Sequence, residues 1–525
     1  MARIGVNNLT FYYEGSFDNI FENVSFQIDT SWKLGFIGRN GRSKTTFLNL
    51  LLGRYDYGGT INASVDFEYF PYPVNHPEDM TLSIVEEILP NAENWQIFRE
   101  LNLLDTDPEI LYRPFSTLSN GERTKVLLAA LFLKENAFLL IDEPTNHLDI
   151  NSREQVAQYL NSKKGFILVS HDRVFLDRCI DHVLSINRAD IEVRKGSFSS
   201  WYADKEATDK MELARNEHLK QDIRRLEASA RQSSRWSDKI ESTKTGTRVA
   251  GLRPDRGHIG HQAAKMMKRA KSIQNRQENA IHEKEKLLKN VETMDDLKLN
   301  QIKYHSQVLI SLKDVSAGYA SASINEIPQA PRHTVSLQED CFSDTGKSKT
   351  NDIRTVCSNI SFEIRQSDRI CLTGKNGCGK SSLLKLILNE NAPLYTGSLH
   401  IGSGLKISYV SQETSHLKGD LSNFAIQHGL DETVFRSVLR KLGFERVQFE
   451  KQIDEYSEGQ KKKVLLAKSL CEPAHLFLWD EPLNFIDIFS RMQIEELLLE
   501  YQPTMLFVEH DLAFQKKIAT KIVPI

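Results

Sequence analysis

Hydrophobic and polar positions along the chain fall into two kinds of pattern. Short, continuously apolar runs such as "AFLLID" at 137 and "HLFLWD" at 475 predict strands of a parallel sheet whose two faces are covered by helices. Between residues 199 and 304 the pattern changes. "KEATDKMELARNEHLKQDIRRLEASARQSSRWSDKI" and "QAAKMMKRAKSIQNRQENAIHEKEKLLKNVETM" are rich in Ala, Glu, Lys, Arg and Gln, with sparse apolar positions near helical spacing. They predict two long helices, each about 50 Å long at 1.5 Å per residue. "ESTKTGTRVAGLRPDRGHIGH" between them carries Gly, Pro and Thr and reads as the turn-back of a helical hairpin.

The apolar strands belong to a unit written twice. "FENVSFQIDTSWKLGFIGRNGRSKTTFLNLLLG" at 21 is answered by "CSNISFEIRQSDRICLTGKNGCGKSSLLKLILN" at 357. "FSTLSNGERTKVLLAALFLKENAFLLIDEPTNHLDI" at 115 is answered by "IDEYSEGQKKKVLLAKSLCEPAHLFLWDEPLNFIDI" at 453, and "FILVSHDRVFLD" at 166 by "MLFVEHDLAFQK" at 505. The expected organisation is α/β domain 1 over 1–198, a hairpin linker over 199–304 and α/β domain 2 over 305–525. Residues 320–353 are polar and aperiodic and read as a flexible insertion in domain 2.

Composition narrows this picture. A length of 525 residues fits about three domain-sized units, and a net charge of -3 predicts no global attraction to nucleic acid. Six scattered cysteines without a C-x-x-C pair argue against a zinc site or a disulfide framework, so a reducing compartment fits. No window approaches the roughly 18 apolar residues of a membrane span, and the N-terminus has no apolar signal core, so a cytoplasmic protein with no membrane partner is expected. The charge is uneven. Residues 231–276 hold 12 Lys/Arg against 3 Asp/Glu. Arg248, Arg253, Arg256, Lys265, Lys268 and Arg269 at the turn are suited to RNA phosphates, and Trp236, His258, His261 and Met267 to bases; a solvated helical face is the alternative.

The chemistry sits in the repeat. In "GKNGCGKSS", Gly374, Asn376, Gly377 and Gly379 let backbone N–H groups curl around phosphates. Lys380 neutralises them, Ser381 offers its hydroxyl to Mg2+, and Ser382 follows. The first copy has Gly38, Asn40, Gly41, Ser43, Lys44, Thr45 and Thr46. At the strand ends, Asp142 and Asp480 are placed to hold Mg2+ through water. Glu143 and Glu481 are placed to polarise the attacking water, with His171 and His510 beside the γ-phosphate. A turn-capping role for these acids is the alternative, which the paired context disfavours. These residues predict a twin ATPase using ATP and Mg2+.

The tetrads "LSNGE" (Ser119, Gly121, Glu122) and "YSEGQ" (Ser457, Gly459, Gln460) resemble the signature of ATP-binding-cassette (ABC) ATPases, and the resemblance covers both domains. It implies two ABC-type P-loop domains that pair head to tail within one monomer. Site one would join Lys44, Asp142, Glu143 and His171 to Ser457 and Gly459; site two would join Lys380, Asp480, Glu481 and His510 to Ser119 and Gly121. Tyr13 and Tyr319 stand where that family stacks an aromatic ring on adenine, although a lone strand Tyr is a core or edge residue as often. Gln412 stands where the family senses Mg2+ and the γ-phosphate.

Two cassettes, a long charged linker and no membrane domain resemble the ABC-F group. "TSWKLGFIGRNGR", "RPFSTLS", "NAFLLIDEPTNHLD" and "LFLWDEPLNFID" are similar to its Lsa-type antibiotic-resistance members. The resemblance implies a partner, the bacterial 70S ribosome with its 23S rRNA and P-site tRNA. The linker would enter from the tRNA exit site and displace lincosamide, pleuromutilin or streptogramin A drugs. The short stretch from Tyr72 to Phe115 leaves little room for the extra arm of translation-factor relatives. Two other readings stay open: a translation factor that gates the ribosome without drug displacement, and the ATPase subunit of an exporter.

Departures from the pattern gather at site one, which has Ser43 for a loop glycine, Tyr72 for the sensor glutamine and Glu458 in its facing signature. An asymmetric pair is expected, in which site one binds nucleotide more weakly or turns it over more slowly and site two sets the faster cycle. A Cβ beside phosphate strains the backbone by about 1 kcal/mol, and an inward carboxylate at Glu458 would add repulsion.

Overall fold

Strand and helix boundaries follow the repeat. The computed structural model describes residues 3–13, 19–38, 44–90, 92–146, 148–187, 190–242, 268, 271, 297–320, 353–375, 377–389, 393–444 and 446–525. Two compact units separate, one of Met1–Ser199 with Asp295–Ile525 and one of Ser200–Met294. The first unit holds both cassettes.

In the first cassette, β1 (Arg3–Phe11), β2 (Phe21–Asp29) and β4 (Gly58–Asn62) form an antiparallel sheet in the order β2-β1-β4. A second sheet runs β5-β6-β7-β3-β8-β9, from β3 (Lys33–Ile37), β5 (Asp66–Phe70), β6 (Ala137–Asp142), β7 (Phe166–Val169), β8 (His182–Asn187) and β9 (Asp190–Lys195). It is parallel except for the β8–β9 pair. Its helices are α1 (Lys44–Leu51), α2 (Thr81–Ile88), α3 (Asn94–Leu103), α4 (Asn120–Phe132), α5 (Ile150–Ser162) and α6 (Arg173–Cys179). Phe47 of α1 is fully buried against Phe21 and Phe36, with ring centroids 6.0 and 5.4 Å away. Burying such a ring contributes about 2–3 kcal/mol and pins the helix that follows the phosphate loop to the sheet beneath it.

Helix α7 (Phe198–Ser242) runs for 45 residues, on the order of 68 Å. It starts ahead of the polar stretch at Lys205 because Phe198 and Trp201, three positions apart, are both buried. Between Ser242 and Leu297 only Lys268 and Lys271 are described, both helical and exposed. Its turn, and with it Arg248, Arg253, Arg256, Lys265 and Arg269, lies outside the described residues.

The second cassette repeats the plan. Strands β10 (Val308–Ala320), β11 (Ile353–Arg365) and β13 (Leu394–Ile401) pair antiparallel as β11-β10-β13. A parallel sheet runs β14-β15-β16-β12-β17, from β12 (Arg369–Thr373), β14 (Ile407–Val410), β15 (Leu476–Asp480), β16 (Met505–Val508) and β17 (Lys521–Pro524). The helices are α8 (Lys380–Leu388), α9 (Leu421–Gln427), α10 (Glu432–Lys441), α11 (Glu458–Cys471), α12 (Ile488–Tyr501) and α13 (Leu512–Ile518). Every residue of β15 and β16 is buried, as helices on both faces require. Residues 297–304 already belong to this cassette, since Leu297 and Leu299 enter its core and Gln301 bridges Ala474. The insertion joins β10 to β11 where Ala320 pairs with Ile353; residues 321–352 themselves lie outside the described residues.

Candidate functional site

Each signature tetrad forms the start of a helix. The Ser119 hydroxyl accepts from the Glu122 N–H at 3.3 Å while the Glu122 carboxylate accepts from the Ser119 N–H at 2.7 Å. Ser457 and Gln460 repeat this capping box at 3.3 and 3.0 Å. The arrangement satisfies helix-end donors reciprocally and sets α4 and α11 at fixed starting points.

The phosphate-loop lysines are buried at the first turns of α1 and α8. Lys44 Nζ donates to Gly38 O at 2.7 Å, and Lys380 Nζ donates to Gly374 O and Lys375 O at 3.0 and 2.9 Å. Gly379 takes φ 96°, and a Cβ there would meet Val356 O at 3.1 Å, so this corner is shaped for glycine. Asn40, Gly41, Ser43 and Asn376 lie outside the described residues. Above the loops, Tyr13 Oη lies 2.7 Å from Thr46 Oγ1, and Tyr319 Oη donates to Ser382 Oγ at 3.1 Å. Both rings stay two-fifths exposed, leaving a face for a planar ligand.

The acids and histidines meet beside the lysines. Asp142 accepts from Thr45 at 3.5 Å and from Tyr69 Oη at 3.0 Å. His171 Nε2 lies 3.3 Å from Glu143 Oε1, and His510 Nε2 lies 3.5 Å from Glu481 Oε1. Gln412 Nε2 donates to Glu481 Oε2 at 3.0 Å, which Asn484 also contacts. Glu143 and Glu481 adopt φ of 50° and 45°, a left-handed backbone costing on the order of 1 kcal/mol or more, which both copies retain at the strand-to-helix turn.

Electrostatics separate the copies. Burial and the adjacent Asp142 push the Glu143 carboxyl up to about 8. Burial also raises Glu481, but the hydrogen bond and charge of His510 and the charge of Lys462 outweigh it and hold that carboxyl below the ordinary value. Burial raises both Asp142 and Asp480, the latter to about 6, and lowers Lys44 and His171. On Lys44, Asp487 and Lys463 of the second cassette act in opposite senses, so charges of that cassette reach the first loop.

A cavity of about 640 Å³ lies between the cassettes. Ser119, Asn120 and Gly121 line one wall; Gly377, Gly379, Lys380, Ser381, Gln412, Glu481 and His510 line the other. The first signature thus faces the second phosphate loop. At the first loop, Lys44, Thr45, Asp142, Glu143 and His171 cluster in the same way, while Ser457 and Gly459 sit at the start of α11 and Asp480 at the end of β15.

Two positions differ from the expected geometry. Tyr72 follows β5 as Gln412 follows β14, but its ring lies 5.9 Å from Lys134 Nζ, and Tyr69 is the side chain that reaches Asp142. Glu458 does not project freely toward phosphate; it accepts from Thr414 and lies 3.4 Å from Lys461 Nζ. The tyrosine was hidden because its reach across to β6 depends on strand pairing, not on any motif.

The residues fit a magnesium nucleotide. Asp480 Oδ1 is buried without a hydrogen-bond partner, a state costly enough to mark it as poised for a polar ligand, while Glu143 Oε1 meets only His171 at 3.3 Å and His510 Nε2 only Glu481 at 3.5 Å. The ABC transporter family model matches residues 21–146 and 357–484. The chain therefore carries two ABC ATPase domains and is an ATPase; such domains bind ATP with Mg2+.

The chain spans about four fifths of the length of the curated relatives it matches. The ribosome protection protein VmlR of Bacillus subtilis is 27% identical, over 96% of this chain and 84% of its own. The ATP-binding protein Uup of Buchnera aphidicola is 25% identical, over 99% of this chain and 80% of its own. An archaeal ribosome recycling factor, aABCE1, solved with the stalk protein aP1, shares the fold with a TM-score of 0.58 and 16% identity, over 98% of this chain and 87% of that one. Among the described residues no helix is long and apolar enough to cross a membrane.

Proposed function

We propose that this chain is a cytoplasmic ABC-F ATPase that binds the bacterial 70S ribosome in its ATP-loaded state and protects it from drugs of the peptidyl-transferase centre. The observation that carries the ATP-dependent part is the inter-cassette cavity, in which Ser119 and Gly121 stand across from Lys380. A nucleotide held by both walls ties the cassettes together, and its loss of a phosphate releases them. The similarity to VmlR along almost the whole chain supports the ribosome as partner.

Within each site the chain's residues divide the work. Lys44 and Lys380 leave their loop carbonyls for phosphate oxygens, and Tyr13 and Tyr319 offer ring faces to adenine. Thr45 with Asp142, and Ser381 with Gln412 and Asp480, would hold Mg2+, which supplies charge neutralisation of the phosphates. Glu481, ionised and oriented by Gln412, accepts a hydrogen bond from the attacking water, with His510 beside the γ-phosphate. Glu143, held neutral near pH 7, is a poorer base, so site one turns over more slowly. Arg248, Arg253, Arg256, Lys265, Lys268 and Arg269 carry the linker's charge toward 23S rRNA beside the P-site tRNA.

Growth of a susceptible bacterium expressing the chain, with and without a lincosamide, a pleuromutilin or a streptogramin A, tests this reading. A raised inhibitory concentration that disappears in the Glu143→Gln, Glu481→Gln double variant is expected. Unchanged susceptibility with intact ribosome binding would make the chain a translation factor instead.

A further inference from the structure

Lys462 is an ammonium buried to 1% exposure in the second turn of α11, five residues after the signature serine. Its Nζ donates to Ser411 O at 2.7 Å, to Gln412 O at 3.4 Å and to Asp480 O at 3.1 Å. The first two carbonyls belong to the loop after β14 that carries Gln412, and the third to the strand-end acid of site two. A second contact runs alongside, from the buried Thr414 hydroxyl of the same loop to the carboxylate of Glu458, the signature's second residue. A buried lysine is costly to desolvate, and burial pushes this one down to about 8 despite four neighbouring carboxylates. Three carbonyl partners offset that cost only in this geometry.

The first cassette lacks the parts. The residues matching Lys462, Thr414 and Glu458 are Thr124, Val74 and Asn120. A threonine hydroxyl is too short to span from a helix to a neighbouring loop as a lysine does, and valine has no hydroxyl to donate.

We propose that Lys462 and Glu458 are positioning residues that join the glutamine loop of site two to the signature helix facing site one, so that ATP engaged at site two sets the signature for site one. Among the described residues no matching joint runs from site one to site two. The proposal rests on the assignment of the two composite sites given above. It makes the coupling between them directional: movement of Gln412 toward a γ-phosphate pulls Ser411, and through Lys462 shifts the start of α11.

Steady-state ATP hydrolysis by the full-length chain tests it. In a Glu481→Gln background turnover reports site one. There Lys462→Met should lower kcat about tenfold, and the steepness of turnover against ATP concentration should fall to that of independent sites. Lys462→Arg, which keeps donors, should restore most of both, and Thr414→Val should reproduce the loss of steepness if Lys462→Met does not fold. In a Glu143→Gln background, which reports site two, Thr124→Val should leave kcat unchanged. Wild-type kcat and steepness in both Lys462→Met and Thr414→Val would overturn the coupling while leaving the site assignment standing. Full turnover in both single Glu→Gln variants would overturn the assignment and the coupling together.

Discussion

Arg173 of the first cassette pairs with Glu495 of the second, 322 positions along the chain, and the Glu495 carboxylate is fully buried there. Lys517 supports the same carboxylate at 3.0 Å. At the internally equivalent positions of the repeat stand Leu512 and Ala157, which line a small apolar cavity. The charged latch between cassettes therefore has no charged counterpart at the matching pair of positions. Arg173→Met leaves a buried carboxylate with one partially exposed cation, and should destabilise the chain by about 3 kcal/mol. Arg173→Met with Glu495→Leu should recover most of that loss, as measured by denaturant unfolding.

Lys463 and Asp487 form a second buried pair at 2.9 Å, inside the second cassette. Burial alone would raise the Asp487 carboxyl, but the charge and hydrogen bond of Lys463 and the Ser490 N–H hold it far below the ordinary range. Such a depressed carboxyl contributes stability that is complete above its unfolded value of 3.8 and is lost as pH falls through the folded value. Lys463→Met should cost about 3–5 kcal/mol at pH 7, a difference that shrinks in strong acid, as thermal unfolding against pH would read out.

Glu143 behaves in the opposite sense. Its carboxyl is raised from 4.5 to about 8, so the stability it contributes is complete below pH 4.5 and is lost as pH rises through 8. Ionisation over the same range generates the better base. Turnover by Glu481→Gln, which reports site one, should therefore rise between pH 7 and 9, and Glu481→Gln should cost more of the wild-type rate at pH 7 than Glu143→Gln. Equal losses would remove the asymmetry.

Gly379 offers a direct test of the phosphate-loop corner. Gly379→Ala places a methyl 3.1 Å from Val356 O at φ 96°, a backbone strain of about 1 kcal/mol before any contact with phosphate. Binding of a fluorescent ATP analogue should weaken about tenfold at site two, in line with 1.4 kcal/mol per decade. Unchanged binding would contradict the role given to this corner, and with it the weight placed on Ser43 in the first copy.

Local chemistry makes the two cassettes legible in the sequence. Glycine spacing, the signature tetrads and the apolar strands each encode their own geometry within a few residues. The acids and histidines could be placed because each follows a strand whose end is visible in the sequence. What the sequence hid were contacts made by tertiary packing. Tyr69 reaches Asp142 only because β5 pairs with β6, and Lys462 reaches Ser411 only because α11 packs beside β14. Glu458 looked like a charge aimed at phosphate, and Thr414, 44 positions upstream, draws it aside.

The central claim is that ATP held at both inter-cassette sites puts this chain on the ribosome. Co-sedimentation of the Glu143→Gln, Glu481→Gln double variant with bacterial 70S ribosomes measures it most directly. The variant should appear in the ribosome pellet with ATP and leave it when ATP is replaced by ADP; absence from the pellet in the presence of ATP would contradict the account.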